Sequence, residues 1–376
     1  MLRPTWAEVD LEAIAHNVQA IKKHIGTDTK YMAVVKGDAY GHGAVPVAKT
    51  ALAAGADQLA VATGDEAVIL REAGIKAPIL ILGTSIPDCG EEKLIELEIA
   101  IGVTNMQFVM ALDRAAARIG KKALVHIKID TGMSRIGVAP TEALAFIKQV
   151  QGLSHIEIVG IYTHFAMSDE EDKSFTDYQF GQFKQVLDQL ARERIEIPWR
   201  HVCNSAALIE QRHMHLNLVR AGTIMYGYYP SKYVKRELAL RPALTLKTRI
   251  VHIKDVPAGT SFSYGLTHTV DKESRIATLP IGYADGYRRV FSNKSQVLVH
   301  GQRVPIVGRV CMDQCMIDVS QVANVALGDE VILLGRQGNE EITAGELAAI
   351  GNTIPVDITA GIGKRVPRVY RGNNLG

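Results

Sequence analysis

The feature that most constrains the fold is a regular alternation of short apolar runs with helical patterns through the first two thirds of the chain. Eight such runs end in, or are followed at once by, polar or glycine residues, at 31–35, 58–63, 78–83, 99–103, 124–130, 156–164, 200–205 and 216–222. Most are separated by stretches such as 65–73 and 180–193, where apolar residues fall three and four apart, as in helices. Eight strand-helix units favour a parallel (β/α)8 barrel of the TIM type over an open sheet.

The pattern changes near residue 240, after which β-rich runs dominate and helical patterns become few. The runs lie at 244–256, 275–281, 295–299, 302–318 and 330–334. We therefore predict an α/β protein with an N-terminal barrel domain (1–240) and a mainly β C-terminal domain (241–376). The first strand, about residues 5–10, is a candidate to pack with the C-terminal domain.

Charge and targeting signals narrow the range of partners. The 376 residues include 42 Lys+Arg and 40 Asp+Glu, a net charge of +2 without a charged run, so nothing indicates binding to nucleic acid or to an anionic membrane. The N-terminus lacks the apolar segment of a signal peptide, and no apolar stretch is long enough to span a bilayer, which predicts a cytoplasmic protein with small-molecule ligands. Four cysteines, Cys89, Cys203, Cys311 and Cys315, lack metal-ligand spacing, so we expect reduced thiols and no metal site.

Polar residues gather where the predicted barrel strands end, which is where barrel enzymes carry their chemistry. The first strand runs into V-K-G-D-A-Y-G-H-G at 35–43, which puts Lys36 at its end. The later strand ends carry Lys128, Asp130, Arg135, His164, Asn204, Ser205, Arg220 and Gly222. A single strand-end lysine or histidine is more often structural, but convergence of so many on one rim predicts a site.

The residue types on this rim suit one cofactor. A lysine near apolar walls loses hydration, which lowers its pKa and leaves a neutral amine able to form a Schiff base with an aldehyde. Ser205 and the Gly222–Thr223 segment, opening a helix, offer a hydroxyl and backbone N–H groups suited to a phosphate monoester, and Tyr40 can add a phenolic hydrogen bond. An aldehyde that carries a phosphate is pyridoxal 5'-phosphate (PLP).

Seven stretches of the chain resemble, in order and spacing, the motifs of bacterial alanine racemases. They are VVKGDAYGHG (34–43), HIKIDTGMSR (126–135), GIYTHF (160–165), CNSA (203–206), YG (264–265), PIGYADG (280–286) and GRVCMDQ (308–314). The resemblance covers essentially the whole chain, from 6–10 to 365–368. It implies a PLP-dependent isomerase that interconverts L-alanine and D-alanine, supplies D-alanine for peptidoglycan, and works as a homodimer.

The resemblance also implies a role for each motif residue. Racemisation by two bases needs one group on each face of the cofactor, and the family pattern assigns these to Lys36 and the partner subunit's Tyr264. Arg220 is expected to face the pyridine nitrogen, where a guanidinium that keeps its proton makes the ring a weak electron sink. His164 is expected to hold Arg220 by a hydrogen bond. The remaining cofactor contacts implied are Tyr40, Asn204, Ser205, Gly222 and Thr223.

The substrate contacts come from the resemblance as well. It assigns the substrate carboxylate to Arg135 and to the amide of the partner subunit's Met312, with Tyr283 narrowing the entrance. Many relatives carry a carbamylated lysine at the position of Lys128. An unmodified Lys128 beside Arg135 would be a like-charge contact, so Lys128 is a candidate carbamyl-lysine.

Some positions depart from the family pattern and leave alternatives open. Gly37 replaces the more common alanine after the lysine, and Ala221 and Thr223 differ from the usual aromatic and aliphatic choices. Lys364 stands where some relatives carry a tyrosine at the pocket wall, so a serine or broad-specificity racemase is the main alternative. A PLP-barrel decarboxylase, which carries an acidic residue at the pyridine nitrogen, and a non-catalytic PLP-binding protein are less favoured.

Overall fold

The computed structural model describes residues 2–372, so Met1 and residues 373–376, which the predicted domains include, lie outside the described residues. The chain divides into two compact units. The barrel unit comprises Ile14–Ala39 and Ala44–Arg241, and the β unit comprises the N-terminal residues up to Ala13, the short segment Tyr40–Gly43, and the chain from Pro242 onward.

The predicted parallel barrel is confirmed. After a first strand, β1 (Thr5–Asp10), the described chain supplies eight barrel strands: β2 (Lys30–Val34), β3 (Gln58–Val61), β4 (Ile79–Ile81), β5 (Ala100–Val103), β6 (Ala123–Lys128), β7 (Ile156–Tyr162), β8 (Trp199–His201) and β9 (Leu218–Ala221). They pair in the order β8-β7-β6-β5-β4-β3-β2-β9, all parallel. At the seam between β8 and β9 the Arg220 N–H donates to Cys203 O at 3.1 Å.

Helices alternate with these strands and turn apolar faces inward. The first helix, Leu11–Ile25, lies in the barrel unit from Ile14 onward. The other helices of that unit are Ala44–Ala53, Gly64–Glu72, Glu91–Glu96, Met106–Ile119, Ala143–Gln151, Ser174–Arg192 and Ser205–Glu210, with 3₁₀ turns at Arg212–Met214 and Thr223–Tyr226. Met106–Ile119 illustrates why they form: Asn105 caps it by accepting from Phe108 N at 2.9 Å, and Phe108 and Leu112 are buried on one face.

Most of the predicted barrel strands are longer than the strands observed, and the difference falls at their ends. The run 200–205 forms strand only as far as His201, because Asn204 caps and Ser205 opens the next helix. The runs 58–63 and 216–222 likewise shorten to Gln58–Val61 and Leu218–Ala221. At the first two of these ends Asn204 and Thr63 cap helices, since side-chain capping competes with the ladder for backbone hydrogen bonds.

The β unit contains one large sheet and a small hairpin. Its further strands are β10 (Leu244–Arg249), β11 (His252–Val256), β12 (Ser261–Phe262), β13 (His268–Thr269), β14 (Ser274–Leu279), β15 (Gln296–Val299), β16 (Gln302–Val307), β17 (Cys315–Asp318), β18 (Glu330–Gln337), β19 (Glu340–Ile342) and β20 (Arg368–Arg371). The sheet runs β11-β14-β17-β16-β15-β18-β10-β1-β20, with β19 paired to β18, and β12 pairs with β13. β1 lies between β10, its antiparallel neighbour, and β20, its parallel neighbour.

Short helices complete the β unit at Ala344–Gly351 and Pro355–Ala360, with 3₁₀ turns at Tyr264–Leu266, Tyr283–Asp285 and Arg289–Phe291. Between residues 2 and 372, no helix combines the length and the apolar character that crossing a membrane requires.

Candidate active site

Lys36 lies directly after β2, at the start of an unusual backbone turn. Gly37, Asp38, Ala39 and Tyr40 all have φ between 51° and 63°, which makes Lys36–Tyr40 a left-handed helical turn. Left-handed backbone costs L-residues roughly 1–2 kcal/mol each, so the turn needs support from elsewhere. Asp38 supplies part of it by accepting from Ala44 N at 2.7 Å, and Glu66 accepts from Gly37 N at 2.5 Å. We predicted a glycine-containing loop here from the sequence. The run of four successive residues with left-handed backbone was not predicted.

The Lys36 amine is partly buried among cations. Burial lowers its pKa first, followed by repulsion from Arg135, and Arg220 acts in the same direction, while the Glu66 carboxylate opposes them. A lowered pKa increases the neutral fraction of the amine, which is the form that reacts with an aldehyde or accepts a proton. The predicted residues Arg135 and Arg220 therefore lie close enough to Lys36 to lower its pKa.

The Arg220 side chain is held by several hydrogen bonds at this rim. It is only 3% exposed, and its guanidinium donates to the carbonyl oxygens of Thr163 (2.8 Å), Val202 (3.0 Å) and His201 (3.1 Å). Burial lowers the pKa of Arg220 to about 10, so it remains protonated at neutral pH. The site therefore presents a fixed positive charge that cannot move without breaking several hydrogen bonds.

Two histidines contact this guanidinium, and the nearer one was missed. Arg220 Nη2 donates to His164 Nδ1 at 3.3 Å, as predicted, but Nη1 donates to His201 Nδ1 at 2.7 Å. Since arginine can only donate, His201 Nδ1 must be unprotonated, which leaves its Nε2–H to donate to His126 Nδ1 at 2.9 Å. Burial lowers the pKa of His201 well below its usual value and that of His126 to about 3.

A sequence signal for one of these histidines was available. His126 precedes Lys128 by two residues in β6, and residues two apart point to the same face of a strand. His126 therefore had to face the barrel interior together with the predicted site lysine. No comparable local pattern marks His201, at the end of a three-residue strand.

Lys128 and Arg135 form the second cationic part of the rim. Lys128 is buried in β6, and its Nζ lies 5.5 Å from the centre of the Tyr162 ring. Burial, then Arg135, then Arg220, lowers the pKa of Lys128 to about 8. Tyr162 also stacks on the His201 ring at 4.9 Å and donates its hydroxyl to Leu82 O at 2.9 Å. An amine in this setting loses protons easily, which is the condition for carbamylation.

The residues predicted to hold a phosphate lie where β8 and β9 end. Gly222 N–H donates to Ser205 Oγ at 3.2 Å, so these two positions are neighbours. Thr223, predicted to open a helix, begins a 3₁₀ turn of four residues. The Asn204 Oδ1 accepts from Ala207 N at 3.2 Å and from Ser168 Oγ at 2.8 Å, so this oxygen caps the helix Ser205–Glu210.

Tyr40, the other predicted phosphate contact, belongs with its short segment to the β unit. Burial raises the pKa of its hydroxyl to about 12, so the phenol keeps its proton at neutral pH and can donate a hydrogen bond. Its segment is held by Arg368, whose guanidinium donates to Gly41 O (2.9 Å) and also to Gly363 O (2.7 Å), next to Lys364. Lys364 itself is exposed.

Tyr264 and Met312, predicted to act in a neighbouring subunit's site, line one open groove of the β unit. The groove has a volume of about 580 Å³ and includes Ser263, Cys311 and Asp313. Tyr264 is 70% exposed and Met312 is 52% exposed. The Ser263 hydroxyl donates to Arg309 O at 2.7 Å and so holds the turn that carries Tyr264.

The Tyr283 turn is joined to the Met312 turn by its backbone. Tyr283 N donates to Cys311 O and Ala284 N donates to Met312 O, both at 3.0 Å. The two turns approach so closely that a Cβ on Gly282 would lie 2.2 Å from Cys311 O. Only glycine fits there, and the predicted entrance residue Tyr283 therefore shares one rigid element with Met312.

The barrel rim fits the cofactor that the sequence indicated. It offers an amine of lowered pKa at Lys36, a hydroxyl at Ser205, and the positive charge of Arg135 and Arg220 for an anionic ligand. Within residues 2–372 no cluster of His, Cys, Asp or Glu could hold a metal ion. The site is thus suited to an aldehyde that carries a phosphate.

Comparison with known proteins gives one family over both units. The model "Alanine racemase, N-terminal domain" matches residues 9–230 and "Alanine racemase, C-terminal domain" matches residues 243–370. The alanine racemase of Halothermothrix orenii is 50% identical over 374 residues, covering 100% of this chain and 98% of that protein.

Two solved structures are similar over nearly the whole chain. The alanine racemase of Clostridium difficile has a TM-score of 0.94 at 42% identity, covering 99% of this chain and 96% of that one. That of Bacillus anthracis with bound L-Ala-P has a TM-score of 0.93 at 44% identity, with the same coverage. These matches set aside a decarboxylase and a non-catalytic binding protein. The chain therefore belongs to the alanine racemase family, whose members are PLP-dependent isomerases.

Proposed function

We propose that this protein interconverts L-alanine and D-alanine by two bases, Lys36 and the partner subunit's Tyr264, in a site shared by two copies of the chain. The observation that carries the proposal is the placement of Lys36 at the end of β2, half-buried beside Arg135 and Arg220, which lowers its pKa. When bound, PLP withdraws electrons from the substrate and makes its Cα–H acidic. D-alanine made in this way would supply peptidoglycan synthesis.

Lys36 accepts or returns the proton at Cα on one face. Its lowered pKa suits this task, because proton transfer is most efficient when the pKa of the acid/base group lies near the working pH. A second group must act on the opposite face, since one amine cannot reach both. Tyr264 supplies a phenolic O–H, and its 70% exposure leaves it accessible to a second copy.

The cofactor would be held by residues on the strand ends and on the Tyr40 segment. Lys36 would bond to its aldehyde carbon, and its phosphate would bind at Ser205, Gly222, Thr223 and Tyr40. Arg220, fixed by His164 and His201, would face the pyridine nitrogen, and Asn204 would lie nearby. A guanidinium at that nitrogen keeps its own proton and gives none to the ring, which favours simple proton return over side reactions.

The substrate carboxylate would be held by Arg135 and by the backbone amide of the partner subunit's Met312. An arginine with an added N–H donor matches the two oxygens of a carboxylate. Tyr283 would narrow the entrance. Lys128 would react with CO₂ to form a carbamate, which replaces a like charge beside Arg135 by an anion; its pKa of about 8 supports this modification.

The domains would divide this work between them. Residues 1–240 would bind the cofactor, and residues 241–376 would present Tyr264, Tyr283 and Met312 to the second copy. The exposure of Tyr264 and Met312 along one groove supports a two-fold dimer with two shared sites.

Subunit mixing tests the shared site directly. Lys36→Ala and Tyr264→Phe are each expected to lower racemisation by about 10²–10⁴-fold, the usual contribution of an acid/base group. In a mixed dimer, one site has both mutations and the other has neither. An equilibrated equal mixture should therefore recover about a quarter of the parent activity, measured by chiral chromatography of alanine. Failure to recover activity in dimers shown to be mixed would refute the shared site.

Lys364 favours a second candidate, a racemase of broader specificity. Lys364 is exposed and follows Gly363 in the chain. Arg368 donates hydrogen bonds both to Gly363 O and to Gly41 O, in the segment that carries Tyr40. Purified enzyme should be offered both enantiomers of alanine, serine and lysine. Comparable kcat/KM for serine or lysine would establish the broader activity, while a strong preference for alanine would reject it.

A further inference from the structure

The Glu66 carboxylate joins the loops that follow the first two barrel strands. Its Oε1 accepts from Gly37 N at 2.5 Å, and its Oε2 accepts from Ala62 N at 2.8 Å and from Thr63 N at 3.3 Å. Gly37 is the residue after Lys36, and Ala62 follows β3, the neighbour of β2 in the barrel. One side chain therefore fixes the backbone beside Lys36 to the next strand end.

Helix capping explains only one of these two oxygens. Thr63 caps the helix Gly64–Glu72 by accepting from Glu66 N, and Glu66 reaches back to Thr63 N through Oε2, which completes a capping box. That arrangement makes no use of Oε1. The contact of Oε1 with the lysine loop is an additional interaction, and a carboxylate is the side chain that can accept on both sides at once.

The charge of Glu66 matters as well as its geometry. The groups that act electrostatically on the Lys36 ammonium from the barrel rim include Arg135 and Arg220, and Lys36 in turn disfavours a charge on Lys128 and His164. Both arginines oppose a positive charge on Lys36. Glu66 acts in the opposite direction.

We propose that Glu66 is a positioning residue for Lys36, holding the start of the left-handed turn through Gly37 N–H and offsetting the positive charge of Arg135 and Arg220 at the Lys36 ammonium. A base that must also return its proton needs both of its protonation states within reach at neutral pH. Without the Glu66 carboxylate, Arg135 and Arg220 would lower the pKa of Lys36 further. Less of the amine would then carry the proton that it has to return to the substrate. The inference rests on the proposed role of Lys36, and Glu66 itself touches no reacting atom.

The test compares Glu66→Gln with Asp65→Asn, which removes one charge from the exposed neighbouring position in the same helix turn. In the full chain freed of cofactor, acetic anhydride modifies only the neutral amine of Lys36, so modification followed against pH by peptide mass spectrometry gives its pKa. We expect Glu66→Gln to lower this pKa by about one unit and Asp65→Asn to leave it within a few tenths. An unchanged or raised pKa in Glu66→Gln, or an equal shift in Asp65→Asn, would overturn the proposal.

A shorter carboxylate separates charge from geometry. Glu66→Asp keeps the charge but is one methylene too short to bridge both loops, so the pKa of Lys36 should move less than in Glu66→Gln while kcat still falls. In the enzyme loaded with cofactor, we expect Glu66→Gln to move the limb of the pH–rate profile that reports Lys36 to lower pH. KM should change little. If Glu66→Asp shifts the pKa as far as Glu66→Gln, the charge argument fails.

Failure of the proposed function gives a different result. If Lys36→Ala retained racemisation, the catalytic role of Lys36 would be wrong, whereas a shift of the Lys36 pKa in Glu66→Gln would still establish the electrostatic contact. Glu66→Asp also serves if Glu66→Gln fails to fold, since the modification curve can be recorded on it alone. In Glu66→Asp, a Lys36 pKa above that of the parent chain would overturn the proposal.

Discussion

The barrel rim and the Tyr264 groove differ in how firmly their functional side chains are held. At the rim, Arg220 is 3% exposed and donates to three carbonyl oxygens and two histidines. In the groove, Tyr264 is 70% exposed and Met312 is 52% exposed, on turns fixed mainly by backbone hydrogen bonds. The rim is thus organised within one copy of the chain, whereas we expect the groove's side chains to gain fixed surroundings only when a second copy covers them.

Removing the Arg220 guanidinium should produce the largest loss of stability. Arg220→Met leaves the carbonyls of Thr163 and Val202 buried without a donor, so the free energy of unfolding in urea should fall by about 3–5 kcal/mol. Arg275→Met, at a half-exposed arginine of the β unit that pairs with Asp255, is the matched control. It should cost less than about 1 kcal/mol, as exposed ion pairs do. Similar losses in both variants would show that the contrast is wrong.

Acid should destabilise the protein through the rim histidines. Burial lowers the pKa values of His126 and His201, which keeps both rings neutral in the folded chain. Below about pH 6.5 these histidines therefore bind protons in the unfolded chain but not in the folded chain. Their neutral forms stabilise fully above that pH, and stability falls as pH decreases toward about 3 for His126. At pH 5, keeping a histidine of unperturbed unfolded pKa neutral should cost about 2 kcal/mol.

Thermal or urea unfolding between pH 7 and pH 5 measures this dependence. His126→Asn should flatten it, and His252→Asn, at an exposed histidine of β11, is the control that should keep the parent slope. A slope unaffected by His126→Asn would place the acid sensitivity elsewhere.

Two glycine substitutions test the strained turn beside Lys36. Gly37 has a φ of 63° and open space where a Cβ would stand, so Gly37→Ala should cost about 1 kcal/mol through backbone conformation alone. Gly181 lies in the helix Ser174–Arg192, also with open space, and Gly181→Ala should stabilise by roughly 0.4–1 kcal/mol. A Gly37→Ala variant as stable as Gly181→Ala would contradict the left-handed turn.

The smallest change in stability is expected in the groove. Tyr264→Phe removes one exposed hydroxyl, so the free energy of unfolding should change by less than about 0.5 kcal/mol. Racemisation should nevertheless fall by about 10²–10⁴-fold. A large loss of stability in this variant would mean that Tyr264 supports the fold of the β unit and would remove the distinction between the two regions.

The barrel and its rim could be read from the sequence because both depend on local pattern. Apolar runs and helical spacing determine the strand-helix alternation, and parallel strands bring their ends to one rim, which placed Lys36, Lys128, His164 and Arg220 together. His126 was equally readable from its spacing to Lys128. The resemblance to a family supplied the groove residues, which no pattern within the β unit distinguishes from other exposed side chains.

The contacts that set the chemistry could not be read in this way. His201 contacts Arg220, 19 residues away in the chain, and Glu66 contacts Gly37, 29 residues away. Neither side chain lies in a local sequence pattern that indicates a contact with a distant residue. The Asn204 oxygen caps the helix Ser205–Glu210, a contact that was not predicted from the sequence.

By itself, the sequence determined the order of strands and helices, the lysine at the end of the first barrel strand, and the excess of cationic residues at the rim. These follow from periodicity and residue type, which are properties of neighbouring positions. Only the tertiary structure decided which histidine holds Arg220, that the lysine turn is left-handed, and that Glu66 opposes the surrounding positive charge. Those depend on distances between residues far apart in the chain, where burial and electrostatic interaction set each pKa.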